Sequence, residues 1–176
     1  MPAAPAPVFR LYLLRHAKAA WALPGQTDFD RTLDDAGFAD AEIVAGMAAD
    51  RGLVPDIVLC SSAVRCRQTA DAFRRAMTQD LDIRYIDALY AGGANIYREI
   101  IGSQDDAPPS LMVVGHNPVI EEILREALGE ETAAEAIPAG YPPGALAVVD
   151  FDTRPSDGAL PLGRLAAWID PDRHNR

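Results

Sequence analysis

The chain has 176 residues, 49% of them hydrophobic, which suits one domain with a single sizeable core. A net charge of −10 excludes a surface that tracks nucleic-acid phosphates, which needs a basic stripe, and no apolar run approaches the roughly 20 residues that span a membrane. The opening Met-Pro-Ala-Ala-Pro-Ala-Pro lacks the basic and apolar regions of an export signal, so the cytoplasm is the expected compartment.

In chain order, residues 1–7 read as a flexible arm, followed by a strand at 9–15 that runs into Arg15-His16-Ala17-Lys18. Residues 21–32 read as a loop and 35–51 as a helix, with Ala36, Ala39, Ile43, Val44 and Met47 at helical intervals. A strand at 56–60 leads to Ser61-Ser62, expected to cap a helix over 63–77 whose first turn carries Arg65. A strand at 82–86 and a helix at 94–102 follow, then a strand at 110–115 that ends in Gly115-His116-Asn117-Pro118. Asn117 as N-cap with Pro118 at the first helical position predicts a helix over 118–128. The Pro/Gly/Ala-rich stretch 136–144 reads as a long loop, strands are expected at 145–151 and 164–169, and 171–176 reads as a polar tail. This alternation implies one α/β domain over 8–170, a three-layer α/β/α sandwich around a mostly parallel sheet.

Chemistry concentrates at the strand ends. Of three histidines, His16 and His116 follow apolar strands, while His174 lies in the tail. In an open α/β sheet the carboxyl edge is where ligand crevices form, and strands distant in sequence converge there. A single histidine at such a place most often caps or packs. Arg15 before His16 points elsewhere, because a guanidinium at a strand end needs an anion, and three strand ends together offer Arg15, His16, Arg65 and His116. The one lysine, Lys18, stands two residues after His16, and Arg31 and Arg67 also fall in or beside these loops. An acidic body with a cationic mouth steers anionic groups to one place. The two cysteines, Cys60 and Cys66, match no zinc spacing and are expected to be free thiols. No metal-ligand pattern occurs at the motifs, so neither metal nor cofactor is expected.

The combination Leu14-Arg15-His16-Ala17, Ser61-x-x-x-Arg65-x-x-Gln68-Thr69 and Gly115-His116-Asn117 resembles the histidine phosphatase (phosphoglycerate mutase-like) superfamily, from about Val8 to about Asp170. Within it the chain is most similar to the small SixA-type phosphohistidine phosphatases. Arg15-His16-Ala17-Lys18-Ala19, Asp30-Arg31-x-Leu33 followed by Gly37, Leu89-Tyr90, and Pro143-Gly144-Ala145-Leu146 carry that finer likeness. The resemblance implies a phosphatase working through a phosphohistidine on His16, with His116 contacting the phosphoryl oxygens. Arg15 and Arg65 are expected to grip those oxygens, with Lys18, Arg31 and Asn117 also binding substrate and the amides opening the helix after Asn117 adding donors. His16 is expected to be held neutral by the positive surround, with one ring nitrogen donating to a backbone carbonyl.

The family usually supplies a general acid. In one branch a carboxylate directly follows the second histidine, and here Asn117 stands there. In the other it comes from a loop between the second and third motifs, where Asp87 is the best-placed candidate and a water-exposed turn Asp the plain alternative. Without an acid, substrates whose leaving group departs easily are favoured, and protonated imidazole is such a group. The expected substrate is therefore a phosphohistidine-bearing protein. The alternatives are small phosphate esters or nucleotides, and a phosphate-binding module without turnover.

Overall fold

The computed structural model describes residues 5–156 and 158–174. Strands β1 (Phe9–Arg15), β2 (Ile57–Ser61), β3 (Asp82–Ile86), β4 (Ser110–Gly115), β5 (Leu146–Phe151) and β6 (Arg164–Ile169) form one sheet in the order β3-β2-β4-β1-β5-β6. The first four run parallel, and β5 and β6 add an antiparallel flank. Each strand lies within a residue of its expected bounds.

Strand geometry sends alternate side chains to opposite faces, and both faces here are apolar. Phe9, Leu11 and Leu13 of β1 pack on one side with Tyr97, Ile101 and Ile123, whereas Tyr12 and Leu14 pack on the other with Val44, Ala45 and Phe73. Helices α1 (Asp35–Asp50) and α2 (Val64–Ala76) cover the second face. The first is covered by α3 (Ala88–Ala91), α4 (Ala94–Gly102), α5 (Val119–Leu128) and α6 (Glu130–Ala136). A parallel sheet buried on both faces needs this three-layer arrangement. No helix among the described residues is long and apolar enough to cross a membrane.

Several expectations are corrected. The inward face of α1 is Gly37, Ala41, Val44, Ala45 and Ala48, while Ala36 and Ala39 are exposed and Ile43 and Met47 only half-buried. Small residues face inward because α1 lies hard against the loop after β1: a Cβ on Gly37 would stand 2.0 Å from the Lys18 carbonyl oxygen. Ser61 and Ser62 do not cap α2 with their side chains; Ala63 is the N-cap. The Ser61 hydroxyl is taken by His116 and that of Ser62 by Asp87. Pro118 sits at the N-cap of α5, one place before its expected position, although Asn117 still receives a helix amide, that of Glu121 at 3.2 Å. The 3₁₀ turn at Asp28–Asp30 and α7 (Pro171–His174) interrupt the expected loop and tail, and the short helices α3 and α6 form in stretches largely without an expected element. Each has seven residues or fewer, too short for a helical period to show in sequence.

Candidate active site

The sheet order 2-4-1 makes the three motif-bearing strands immediate neighbours. In the β1–β4 ladder Arg15 stands opposite Gly115, and the His16 amide donates to the Gly115 carbonyl at 3.1 Å. The two imidazoles therefore emerge side by side, with ring centroids 5.3 Å apart. Arg65, on the first turn of α2, comes in from the β2 side. Thr69 ties these pieces together: its hydroxyl accepts from the Ala17 amide at 3.0 Å and donates to the Arg65 carbonyl at 2.8 Å. Gln68 accepts from the Leu33 amide at 2.8 Å and anchors the loop that carries Arg31.

His16 Nδ1 lies 2.8 Å from the Ala17 carbonyl. A carbonyl only accepts, so the proton is on Nδ1 and Nε2 keeps its lone pair. Arg65 Nε approaches that nitrogen at 3.4 Å. Burial pushes the His16 pKa down to about 3; the Ala17 hydrogen bond opposes this, and the charges of His116, Arg65 and Arg15 add to it. Desolvation, more than the cationic surround expected from sequence, thus keeps this imidazole neutral. His116 is buried, with Nε2 2.8 Å from Ser61 Oγ and its amide donating to the Tyr97 oxygen at 3.2 Å. Burial first, and then Arg65, lowers its pKa to about 4.

Both arginines are held from behind. Arg15 donates through Nη1 to the Tyr141 carbonyl at 2.6 Å, while its Nε is buried with no partner among the described residues. A buried unpaired donor of this kind is costly unless a ligand satisfies it. Arg65 donates to the Asp28 carbonyl at 2.8 Å and to Asp28 Oδ2 at 3.0 Å. The same carboxylate accepts from the Tyr90 hydroxyl at 2.8 Å and from Arg31 at 3.1 Å. The Tyr90 bond foremost, and then Arg31 and Arg65, holds Asp28 at a pKa of about 2, so it is ionised at neutral pH.

These groups line a cleft of about 600 Å³. Arg15, His16, Arg65 and His116 meet there, and Lys18, Arg31 and Asn117 stand around them. Asp87 is not brought in: it is exposed at the start of α3, outside the cleft lining, and its carboxylate accepts from Ser62. Arg67 also lies outside, stacked over Tyr85 at 4.9 Å. Two of the opening amides of α5 are spent internally, Ile120 on the His116 carbonyl at 2.9 Å and Glu121 on Asn117. Asp28, Tyr90 and Ser61 enter the site without having been singled out for a role there. The one available signal for Asp28 was an acidic residue in the long loop beside the first motif. Cys60 and Cys66 are buried free thiols, and burial pushes Cys66 up to about 12. Among the described residues no three His, Cys, Asp or Glu side chains cluster to hold a metal ion.

The depressed histidine pKa values carry a pH prediction. A pH profile of kcat/KM is expected to show no histidine limb near 6.5, only the substrate's own ionisation near pH 6. Loss of the neutral imidazoles is expected only as pH approaches about 4. For stability, both groups bind protons more readily unfolded than folded, so their contribution is complete above pH ~6.5 and declines as pH falls towards the folded values. Thermal melts from pH 8 to 4 measure this second effect. An enzyme limb at 6.5, after correction for substrate ionisation, would contradict the buried neutral pair.

Comparison with known proteins agrees with this geometry. The family model "Histidine phosphatase superfamily (branch 1)" matches residues 11–90. A crystal structure of the "putative phosphohistidine phosphatase SixA" from Agrobacterium tumefaciens is 46% identical, covers 93% of this chain and 98% of its own, and superposes with a TM-score of 0.83. Its namesake from Nakamurella multipartitia is 29% identical over 96% of this chain and 99% of its own, with a TM-score of 0.77. An uncharacterised protein of Mycobacterium tuberculosis is 34% identical over 77% of this chain and 85% of its own length.

Proposed function

This chain belongs to the histidine phosphatase superfamily, with the SixA-type proteins among its neighbours, and from that premise we propose that it hydrolyses phosphohistidine on a protein through a covalent intermediate on His16. The catalytic unit in this proposal is residues 8–170. The observation that carries it is the His16 ring, neutral by burial, with Nδ1 committed to Ala17 and the lone pair of Nε2 facing the cleft's Arg65, which donates to it only at 3.4 Å.

Arg15 and Arg65 bind the phosphoryl oxygens, and the unpaired Nε of Arg15 gains a partner on binding. His16 Nε2 attacks phosphorus, forming a P–N bond as the bond to the leaving nitrogen breaks. The leaving imidazole already carries its proton and departs neutral. His116 contacts the phosphoryl oxygens and steadies the transferring group, while Lys18, Arg31 and Asn117 help to draw in and seat the anion. Water then attacks phosphorus, releasing inorganic phosphate and restoring the His16 lone pair.

The carboxylates support this substrate class. Asp28 is ionised by its donors and has no proton to lend, and Asp87 stands outside the cleft. A leaving group that needs no acid is therefore favoured. One observation favours a second reading, a phosphatase of small phosphate esters or nucleotides: about 600 Å³ is room enough for a metabolite. A panel of phosphohistidine protein, phosphoimidazole, alkyl phosphates and nucleotides, each with and without EDTA, tests the proposal. Phosphohistidine is expected to give the highest kcat/KM, unchanged by chelation. A preference for alkyl phosphates would put the second reading first, and activity lost to EDTA and restored by zinc or magnesium would refute the metal-free route.

A further inference from the structure

The loop between β1 and α1 carries two large apolar side chains that are mostly exposed. Trp21 is 87% exposed and Leu23 65%. Loose ends of chain often expose such groups, but this loop is built. Its base is closed by a bridge between Ala19 and Leu33 and by the Ala20 amide donating to the Thr32 carbonyl at 2.8 Å. Its tip is a turn in which the Gln26 amide donates to the Leu23 carbonyl at 2.9 Å, and the Leu23 amide to Gln26 Oε1 at 3.0 Å. Pro24 presets the second turn position, and Gly25, at φ +86°, supplies the left-handed third that a type II turn requires. Leu23 is thus presented to solvent by a preformed scaffold, so covering it costs little ordering entropy.

The patch is continuous with the cleft. Arg31, which lines it, places its guanidinium 5.4 Å from the centroid of the Trp21 ring and donates through Nε to the Ala20 carbonyl at 2.8 Å. Residues 19–27 carry no charge, in a chain where 24% of residues are charged and the net charge is −10. Beside the cationic cleft mouth, this stretch adds no like charge of its own against a phosphorylated macromolecule; of the carboxylates that follow it, Asp28 is paired with Arg31 and Arg65 and Asp30 accepts from Thr27.

We propose that Trp21 and Leu23 form a docking surface for the protein substrate, packing against apolar side chains that the partner presents beside its phosphorylated histidine. This rests on the phosphohistidine reading above and adds where the carrier protein binds. A small substrate, filling only the cleft, does not reach the patch; neither Trp21 nor Leu23 lines the cavity.

The test compares Trp21→Ser and Leu23→Asp with wild type on two substrates, phosphoimidazole and a set of histidine phosphotransfer domains phosphorylated on histidine. For the phosphoprotein, KM is expected to rise about 10- to 30-fold in each variant, the range for losing an interface anchor, with kcat unchanged. Both constants for phosphoimidazole are expected to stay at wild-type values. An unchanged KM for the phosphoprotein would overturn the docking surface and leave the phosphohistidine reading standing. Equal losses on both substrates would overturn it by assigning the loop to the cleft itself. A wild type that cleaves phosphoimidazole but none of the phosphoproteins would instead remove the reading beneath it. Sedimentation covers the remaining occupant: a concentration-dependent dimer that Leu23→Asp abolishes would give the patch to a second copy of this chain and overturn the proposal.

Discussion

Replacing His16 with alanine is expected to abolish turnover, by about a millionfold on the scale seen for deleted nucleophiles, while leaving the fold intact. The ring's short hydrogen bond runs to the neighbouring Ala17 carbonyl, and its hydrogen bond to another element, from Arg65, is long at 3.4 Å, so its removal costs the fold little. Rapid quenching of the wild type with labelled phosphohistidine substrate is expected to trap label on the protein, and His16→Ala to trap none. His116→Ala and Arg65→Ala are each expected to lose roughly 100- to 1,000-fold, the size of losing one preorganised charge-stabilising donor. Arg65→Lys keeps the charge but not the planar fork, and is expected to recover only part of that loss. Full activity in His16→Ala would exclude the covalent route.

The second large effect is on leaving groups. In wild type, turnover is expected to fall steeply as the leaving alcohol becomes more basic, while phosphoimidazole and activated aryl phosphates stay good substrates. A general acid removes that dependence by protonating the departing oxygen, and neither Asp28 nor Asp87 is well disposed to do so. Asp28 is held ionised by Tyr90, Arg31 and Arg65, and Asp87 is exposed and bound to Ser62 outside the cleft. Asp87→Asn is therefore expected to change little across the series. Asp28→Asn loosens the grip on Arg65 and is expected to lower all substrates together. If either variant spared aryl phosphates and selectively crippled alkyl phosphates, that residue would be the acid, and the small-ester reading would move ahead.

Much of this was legible before any coordinates because it is local. Whether a strand forms at 110–115 depends on a run of apolar residues between breakers, and the six expected strands all formed, although β3 alternates polar and apolar residues. Arg15-His16 and Gly115-His116 announce themselves because each ends such a run. The loop at 21–32 was seen beside the site, but its 3₁₀ turn, its exposed Trp21 and its Asp28 were not. Three-residue elements leave no periodicity to detect, and a residue's exposure depends on what packs over it. The Ser61-Ser62 pair misled in the same way: by local chemistry it is a helix cap, and only the neighbouring strands supply the partners, His116 and Asp87, that draw the hydroxyls away.

The sequence by itself determined an α/β chain whose chemistry-bearing residues, Arg15, His16, Arg65 and His116, stand at the ends or just beyond the ends of apolar strands, because alternation and strand termination follow from backbone sterics over a few residues. Only the tertiary structure decided that β4 lies between β2 and β1 and sets two histidines a hundred residues apart with ring centroids 5.3 Å apart. It alone placed Asp28 on Arg65 and Tyr90 on Asp28, and left Asp87 outside. It also decided the protonation of His16, whose pKa of about 3 comes chiefly from burial. Desolvation and strand order are sums over atoms contributed by the whole chain, so no local stretch of sequence carries them.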